Sequence, residues 1–327
     1  MKRRLFALAS GGATLCGALG ASRAFGQGAK EPRRVGWLTA GSVVSSAKAL
    51  QALREGLAER GFVDGRDIVI EARYASGQAQ DIPRLAAEIA ALKPVLILAM
   101  GPSATDASLA AAPALAIVAL HGDFVLYGLA AQVNRPGGRV TGVSILGTPL
   151  NAKRLELLAQ LLPKGSAVLN LADSNERADA MQAVEAAGRS LGLVMHAAYA
   201  RSAAEIEAAF ASARRVRVAG VNQLTSPFLH AHRARIIELA AGARLPTIYQ
   251  WSQSAEEGGL MAYGPNYSEV YRQLAGFAAR ILDGAKPAEM AVEQPTRFEL
   301  VINLKTAKAL GITIPQSLLL RADEVIE

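Results

Sequence analysis

Val95-Leu96-Ile97-Leu98-Ala99-Met100, running directly into Gly101-Pro102-Ser103-Ala104-Thr105-Asp106, is the stretch whose reading decides the fold. Six apolar residues without alternation describe a strand buried on both faces, the pattern of a parallel sheet covered by helices on each side. Parallel neighbours cannot be joined by a tight turn, so such a strand implies helical crossovers before and after it. The flanking sequence supplies them. Residues 35–38 read as a strand, 39–46 as a loop, and Leu50, Leu53 and Leu57 form the apolar stripe of a helix over 47–60, closed by Gly61. Residues 67–74 alternate as a strand and 82–92 read as a helix. Beyond the central strand come a helix at 103–111, a second buried strand at 114–120, a helix near 127–133 and a strand at 139–144.

A second series of the same kind succeeds the first. Helices are expected over 151–162, 176–191, 203–214 and 227–241, alternating with strands at 167–171, 194–199, 216–221 and 246–250. Two successive β-then-α series imply an α/β protein of two doubly wound lobes, each of roughly 120 residues. The remaining pieces, a helix at 267–282, a strand at 296–302 and a short helix at 304–310 closed by Gly311, are too few for a third domain. They complete the two lobes if the chain crosses back between them, which builds a multi-strand hinge. The expected division is 33–146 with 264–292 for the first lobe and 147–263 with 293–327 for the second.

Residues 1–26 read as an export signal: a basic head Lys2-Arg3-Arg4, an apolar run from Leu5 to Leu19 and a small-residue exit. The run is too short to span about 30 Å of hydrocarbon, and Arg3-Arg4-Leu5-Phe6 has twin-arginine character. The expected location is therefore the periplasm. Cys16 is the single cysteine of the chain and falls in this leader, behind Leu15 where lipidation needs a small residue. Beyond the leader the chain has no disulfide, thiol nucleophile or cysteine metal ligand. The whole chain carries 35 basic and 28 acidic residues, for +7; without the leader's four cations, 31 face 28 and the balance is +3. That is poor ground for nucleic-acid binding, and Arg214-Arg215-Val216-Arg217 reads as a solvated helix end. No later run of 18 apolar residues suggests a membrane span.

Ligands of open parallel sheets bind at the carboxyl ends of the strands. There the sequence offers Ser42 after the first strand, Ser103 and Thr105 after the central one, Asp123, Ser174, Gln223, Tyr249, Trp251 and Tyr263. Ser103 and Asp106 have the spacing of a capping pair, and the helix start they mark suits a ligand carboxylate. Asp123 suits an ammonium or hydroxyl. Catalytic readings fare badly. Gly142-Val143-Ser144-Ile145-Leu146 lacks the second glycine of a nucleophile elbow, and no phosphate-binding glycine loop comes after any strand. His230 and His232 are two apart and face different sides of a helix, so they suit a metal poorly. His121 with Asp123 is the best acid–base pair. No enzyme, metal or cofactor is expected.

Several blocks carry a resemblance. Gly122-Asp123-Phe124-Val125, Gly128-Leu129 and Asn134-Arg135-Pro136-Gly137-Gly138-Arg139-Val140-Thr141-Gly142 resemble a signature of the ABC-transporter substrate-binding proteins that include tryptophan- and tyrosine-type members. So do Lys153-Arg154-Leu155-Glu156-Leu157-Leu158, Leu245-Pro246-Thr247-Ile248-Tyr249, Gly258-Gly259-Leu260-Met261-Ala262-Tyr263-Gly264, and Val301-Ile302-Asn303-Leu304-Lys305-Thr306-Ala307-Lys308-Ala309-Leu310-Gly311 with Ile314-Pro315. The blocks keep their order over residues 33–327. The resemblance implies a type I periplasmic-binding-protein fold: two Rossmann-like lobes, three crossovers, and a small organic ligand such as an amino acid or aromatic acid closed between them. Its implied partner is the membrane permease of an ABC importer, with the binding protein itself a monomer. A ligand sensor for a membrane receptor and an enzyme on the same fold are the alternatives. The chain departs from the family pattern at Phe124, Arg139 and Gln250-Trp251. Phe124 and Trp251, if they face the cleft, favour a flat ligand by stacking.

Overall fold

The computed structural model describes residues 31–327; the leader, with Cys16, lies outside the described residues. The first series is β1 (Arg33–Thr39), α1 (Val43–Ala58), β2 (Ile68–Tyr74), α2 (Ile82–Ala91), β3 (Leu96–Met100), α3 (Pro102–Ala111), β4 (Ala116–His121) and β5 (Val140–Ser144). The second is α4 (Gly147–Ala159), β6 (Ala167–Asp173), α5 (Ala178–Ser190), β7 (Val194–Ala200), α6 (Ala203–Arg215), β8 (Gly220–Gln223), α7 (Pro227–Ala231), α8 (Arg233–Ala243), β9 (Thr247–Tyr249), α9 (Ser252–Glu256) and β10 (Met261–Pro265). The chain closes with α10 (Tyr267–Leu282), β11 (Phe298–Asn303), α11 (Leu304–Leu310), α12 (Gln316–Leu319) and β12 (Glu324–Ile326).

Five parallel strands form the first sheet in the order β2-β1-β3-β4-β5. The second sheet is β12-β11-β10-β9-β8-β6-β7, and its β7-β6-β8-β9-β10 part repeats the first sheet's order. β11 then runs antiparallel to β10, which the β-then-α rule did not foresee. Each sheet therefore has its switch in strand order between its first and third strands, where doubly wound sheets open a crevice. The chain passes between the lobes after β5, after β10 and after α10. On the last passage residues 290–293 run beside β5, with Ser144 N donating to Glu293 O at 2.8 Å and Val292 N to Val133 O at 2.7 Å.

Packing explains the sequence pattern. In β3, Leu96, Leu98 and Met100 face α1 and α10, in one core with Trp37, Leu53 and Phe277. Ile97 and Ala99 face the opposite core with Ile89 and Ile117. Both faces are covered, so no position was left for a polar residue.

Several element ends differ from expectation. α1 begins at Val43 because the Ser42 hydroxyl accepts from Ser45 N while Ser45 Oγ accepts from Ser42 N, a reciprocal cap that starts the helix four residues early. No helix forms near 127–133. The Asp123 carboxylate instead accepts from Val125 N and Leu126 N, both at 2.9 Å, and Gly128 at φ +69° ends the turn. α6 runs through Arg215, so β8 starts at Gly220 rather than 216; Arg214 to Arg217 are exposed at that helix end. The helix expected over 227–241 is broken at His232 into α7 and α8.

Candidate functional site

The carboxyl ends of the two sheets enclose a cavity of about 840 Å³, counted out to its mouth. From the first lobe it is lined by Thr39, Ser45 and Ser46 near the start of α1, by Gly101 at the end of β3, and by Tyr127. Facing them from the other lobe are Asn151, Asp173, Asn175, Glu176, Thr225 and His230, with Gln250 and Trp251 after β9, while Tyr267 and Tyr271 come from α10, which packs with the first sheet.

The rings form one connected wall. Trp251 meets Tyr267 edge-to-face at 4.8 Å and 84°, and Tyr267 lies 4.9 Å from Tyr271. Tyr271 in turn reaches Trp37 in the core at 5.8 Å, which fixes the wall to the first sheet. Edge-to-face and tilted pairs at these separations are favourable for ring quadrupoles. His230 completes the wall, 5.5 Å from Tyr267 and 6.5 Å from Trp251.

The charge in the cavity is acidic. Asp173 accepts from Asn175 N at 2.7 Å and from the Ser226 hydroxyl; burial pushes its carboxyl above the usual range. Burial, reinforced by the Asp173 charge, pushes Glu176 up to about 7. The Tyr127 hydroxyl donates to Glu176 Oε1 at 3.3 Å across the two lobes. No Lys or Arg lines the cavity among the described residues. Arg154, a fully buried cation, stands behind the lining. Its guanidinium donates to Tyr263 O at 2.9 Å, to Thr225 Oγ1 at 2.8 Å and to Asn151 Oδ1, with no carboxylate partner. Desolvation pulls it down to about 9, so it keeps its charge at neutral pH and holds Asn151 and Thr225 in place.

The lobes touch around the cavity. Asn175 Nδ2 donates to Ser103 Oγ at 2.9 Å. Gly101, at φ +88°, has Pro227 packed where a side chain would be: a Cβ there would lie 2.7 Å from Pro227 Cγ. Gly77 likewise seats the His232 ring in the space its Cβ would need.

Of the residues chosen from sequence, Trp251 lines this cavity. Ser103 and Ser174 line a smaller neighbouring cleft. Ser103 is not the cap of α3. That position is Gly101, because Pro102 starts the helix one residue earlier. Ser42 is occupied as the cap of α1, and Thr105 is buried with Oγ1 donating to Gly101 O at 2.9 Å. Asp123 holds its own turn, and its N–H donates to His121 Nδ1 at 3.3 Å. Gln223 is buried within β8 and Tyr249 beneath Gly259. Tyr263 lies against Phe298 at 6.3 Å. Phe124 is fully buried in the core, so the stacking expected of it does not arise. Among the described residues no group of three His, Cys, Asp or Glu is placed to hold a metal.

Asp173, Glu176 and Thr225 sit within three residues of Ser174 or Gln223. The sequence locates these strand-end loops, but β6 runs two residues longer than expected and β8 starts four residues later. In a strand a shift of one residue turns a side chain to the other face. His230, Tyr267 and Tyr271 had no such signal, because helical spacing alone does not separate a cavity wall from a core.

The model of the family described as ABC transporter substrate binding protein matches residues 42–326. Among curated proteins, the chain is 24% identical over 270 residues to a tyrosine-binding protein of Clostridioides difficile, covering 81% of this chain and 77% of that one. It is similar to a solved conserved domain protein of Vibrio cholerae, with TM-score 0.83 and 23% identity over 90% of this chain and 100% of that one. A Streptococcus pneumoniae ABC domain solved in complex with L-Trp gives TM-score 0.81 and 23% identity, with the same coverage. These likenesses bear out the α/β fold of two type I periplasmic-binding-protein-like lobes.

Proposed function

Because this chain belongs to the ABC transporter substrate binding protein family, we propose that it is an extracytoplasmic binding protein for a small aromatic solute with a cationic nitrogen, such as an aromatic amino acid. One observation carries the reading: a single inter-lobe cavity brings the rings of Trp251, Tyr267 and Tyr271 together with the carboxyls of Asp173 and Glu176, and no basic side chain lines it among the described residues. The rings supply flat apolar contact and a negative face for a cation. The carboxyls, pushed above their usual range by burial, gain a counter-charge from an ammonium. A ligand carboxylate finds the Ser46 hydroxyl near the start of α1. The relatives named for tyrosine and solved with L-Trp support this class of ligand.

The mechanism is closure of the lobe 33–146 with 264–292 onto the lobe 147–263 with 293–327, about the three passages that join them. Ligand shifts the population only by binding the closed form better than the open one, and contacts from both lobes provide that difference. The closed protein then docks on the permease of an ABC importer, to which the leader's export address delivers it. A thermal-shift series with L-tryptophan, L-tyrosine, aromatic amines and non-aromatic amino acids tests the reading. A true ligand at a hundred times its Kd adds about 2.7 kcal/mol of stability. No shift with any aromatic amine or amino acid, alongside a shift with a non-aromatic solute, would overturn it.

A further inference from the structure

We infer that His230 reads a hydrogen-bonding atom on the ligand's ring, and so separates hydroxylated or N–H-bearing aromatics from plain phenyl rings. The inference rests on the aromatic-ligand reading above and narrows it. His230 lies on α7, lines the cavity and is only 6% exposed. Both of its ring nitrogens, Nδ1 and Nε2, lack a hydrogen-bond partner in the protein. Buried polar atoms are satisfied in the great majority of cases, and a neutral imidazole offers one donor and one acceptor.

Protonation does not relieve this deficit. Desolvation, with the Arg233 charge adding to it, pulls His230 down to about 3. Arg233 donates from Nη1 to His230 O at 3.2 Å and pairs with Glu257 at 2.6 Å, so neither interaction reaches the His230 ring nitrogens. Its aromatic neighbours in the wall are Tyr267 and Trp251, which offer a ligand ring offset or edge-to-face contact. His230 thus sets two unpartnered polar atoms among the rings of the wall, and a ring hydroxyl or ring N–H between Trp251 and Tyr267 meets them. A phenyl ring in the same place leaves it unpaired, which is how a site built around a hydrogen bond rejects the analogue that lacks one.

Calorimetric titration with three matched pairs tests this: L-tyrosine against L-phenylalanine, tyramine against phenethylamine, and hydroxyphenylpropionate against phenylpropionate. Each pair differs only by the ring hydroxyl, while the charged end varies from pair to pair. The wild type is expected to prefer the hydroxylated member of each binding pair by about tenfold or more. H230L is expected to erase the preference by weakening the hydroxylated member alone, and H230Q, which keeps a donor and an acceptor, to retain part of it. Equal affinities within the pairs for the wild type, or an equal loss for both members in H230L and H230Q, would overturn the role of His230 while leaving the aromatic class standing. Failure of all six compounds, and of L-tryptophan, to bind would overturn both together.

Discussion

Glu176 carries a charge state that both lobes set. Its carboxyl lies beside Asp173 on its own lobe and accepts from Tyr127 of the other, and burial pushes it up to about 7 from an ordinary 4.5. Since the folded value lies above the unfolded one, the folded chain holds a proton that the unfolded chain releases between 4.5 and about 7. Stability contributed by this group is therefore greatest below that window and is lost as pH rises through it. Glu176→Gln should flatten the dependence: melting temperatures of the variant and the wild type should converge at the acid end and diverge, with the variant higher, toward neutral pH. A constant gap across the window would show that Glu176 is already ionised in the folded form. A ligand cation supplies the missing counter-charge, so the same residue is expected to release its proton when an amine binds. The acid pair is only half legible in the sequence. Asp173 opens the loop Asp173-Ser174-Asn175, but a strand expected to end at 171 points to the loop's middle residue instead of its first.

At the scale of elements, helix starts decide which hydroxyls are free for a ligand. Ser42 is spent on the cap of α1, in a reciprocal pair with Ser45. Ser42→Ala is thus expected to cost about 1 kcal/mol of stability in urea denaturation and to leave ligand affinity unchanged. A loss of affinity without a loss of stability would return Ser42 to the binding site. α3 behaves differently. It starts from Gly101 with no side-chain cap, since Pro102 presets the first helical residue. The alternation of helices and strands was legible because apolar periodicity is a local property of the chain. The ends of α1, α6 and β8 were not, because a cap and a helix's run-on depend on hydrogen bonds that spacing does not encode.

For the whole molecule, two glycines admit residues of the opposite lobe, Pro227 over Gly101 and His232 over Gly77, and the closure proposed above rests on these two seats. Gly101 also adopts φ +88° and ψ 174°, a region open essentially to glycine alone. Gly101→Val should therefore lower stability by about 1–3 kcal/mol and also hold the lobes apart. Small-angle scattering should show the wild type contracting when ligand is added and the variant remaining expanded. Equal contraction in both would mean that Pro227 yields and that the seat does not control closure. The sequence by itself determined the two doubly wound lobes, the return of the last helix and strand to complete them, and the strand-end loops that line the cavity. Those come from hydrophobic period and from the rule that parallel strands need crossovers. Only the tertiary structure decided which side chains reach the cavity. Asp173 and Glu176 come from the end of β6 and the loop after it, His230 from α7, and Tyr267 and Tyr271 from α10. Their convergence arises from how two sheets face each other, and no spacing along one chain records it.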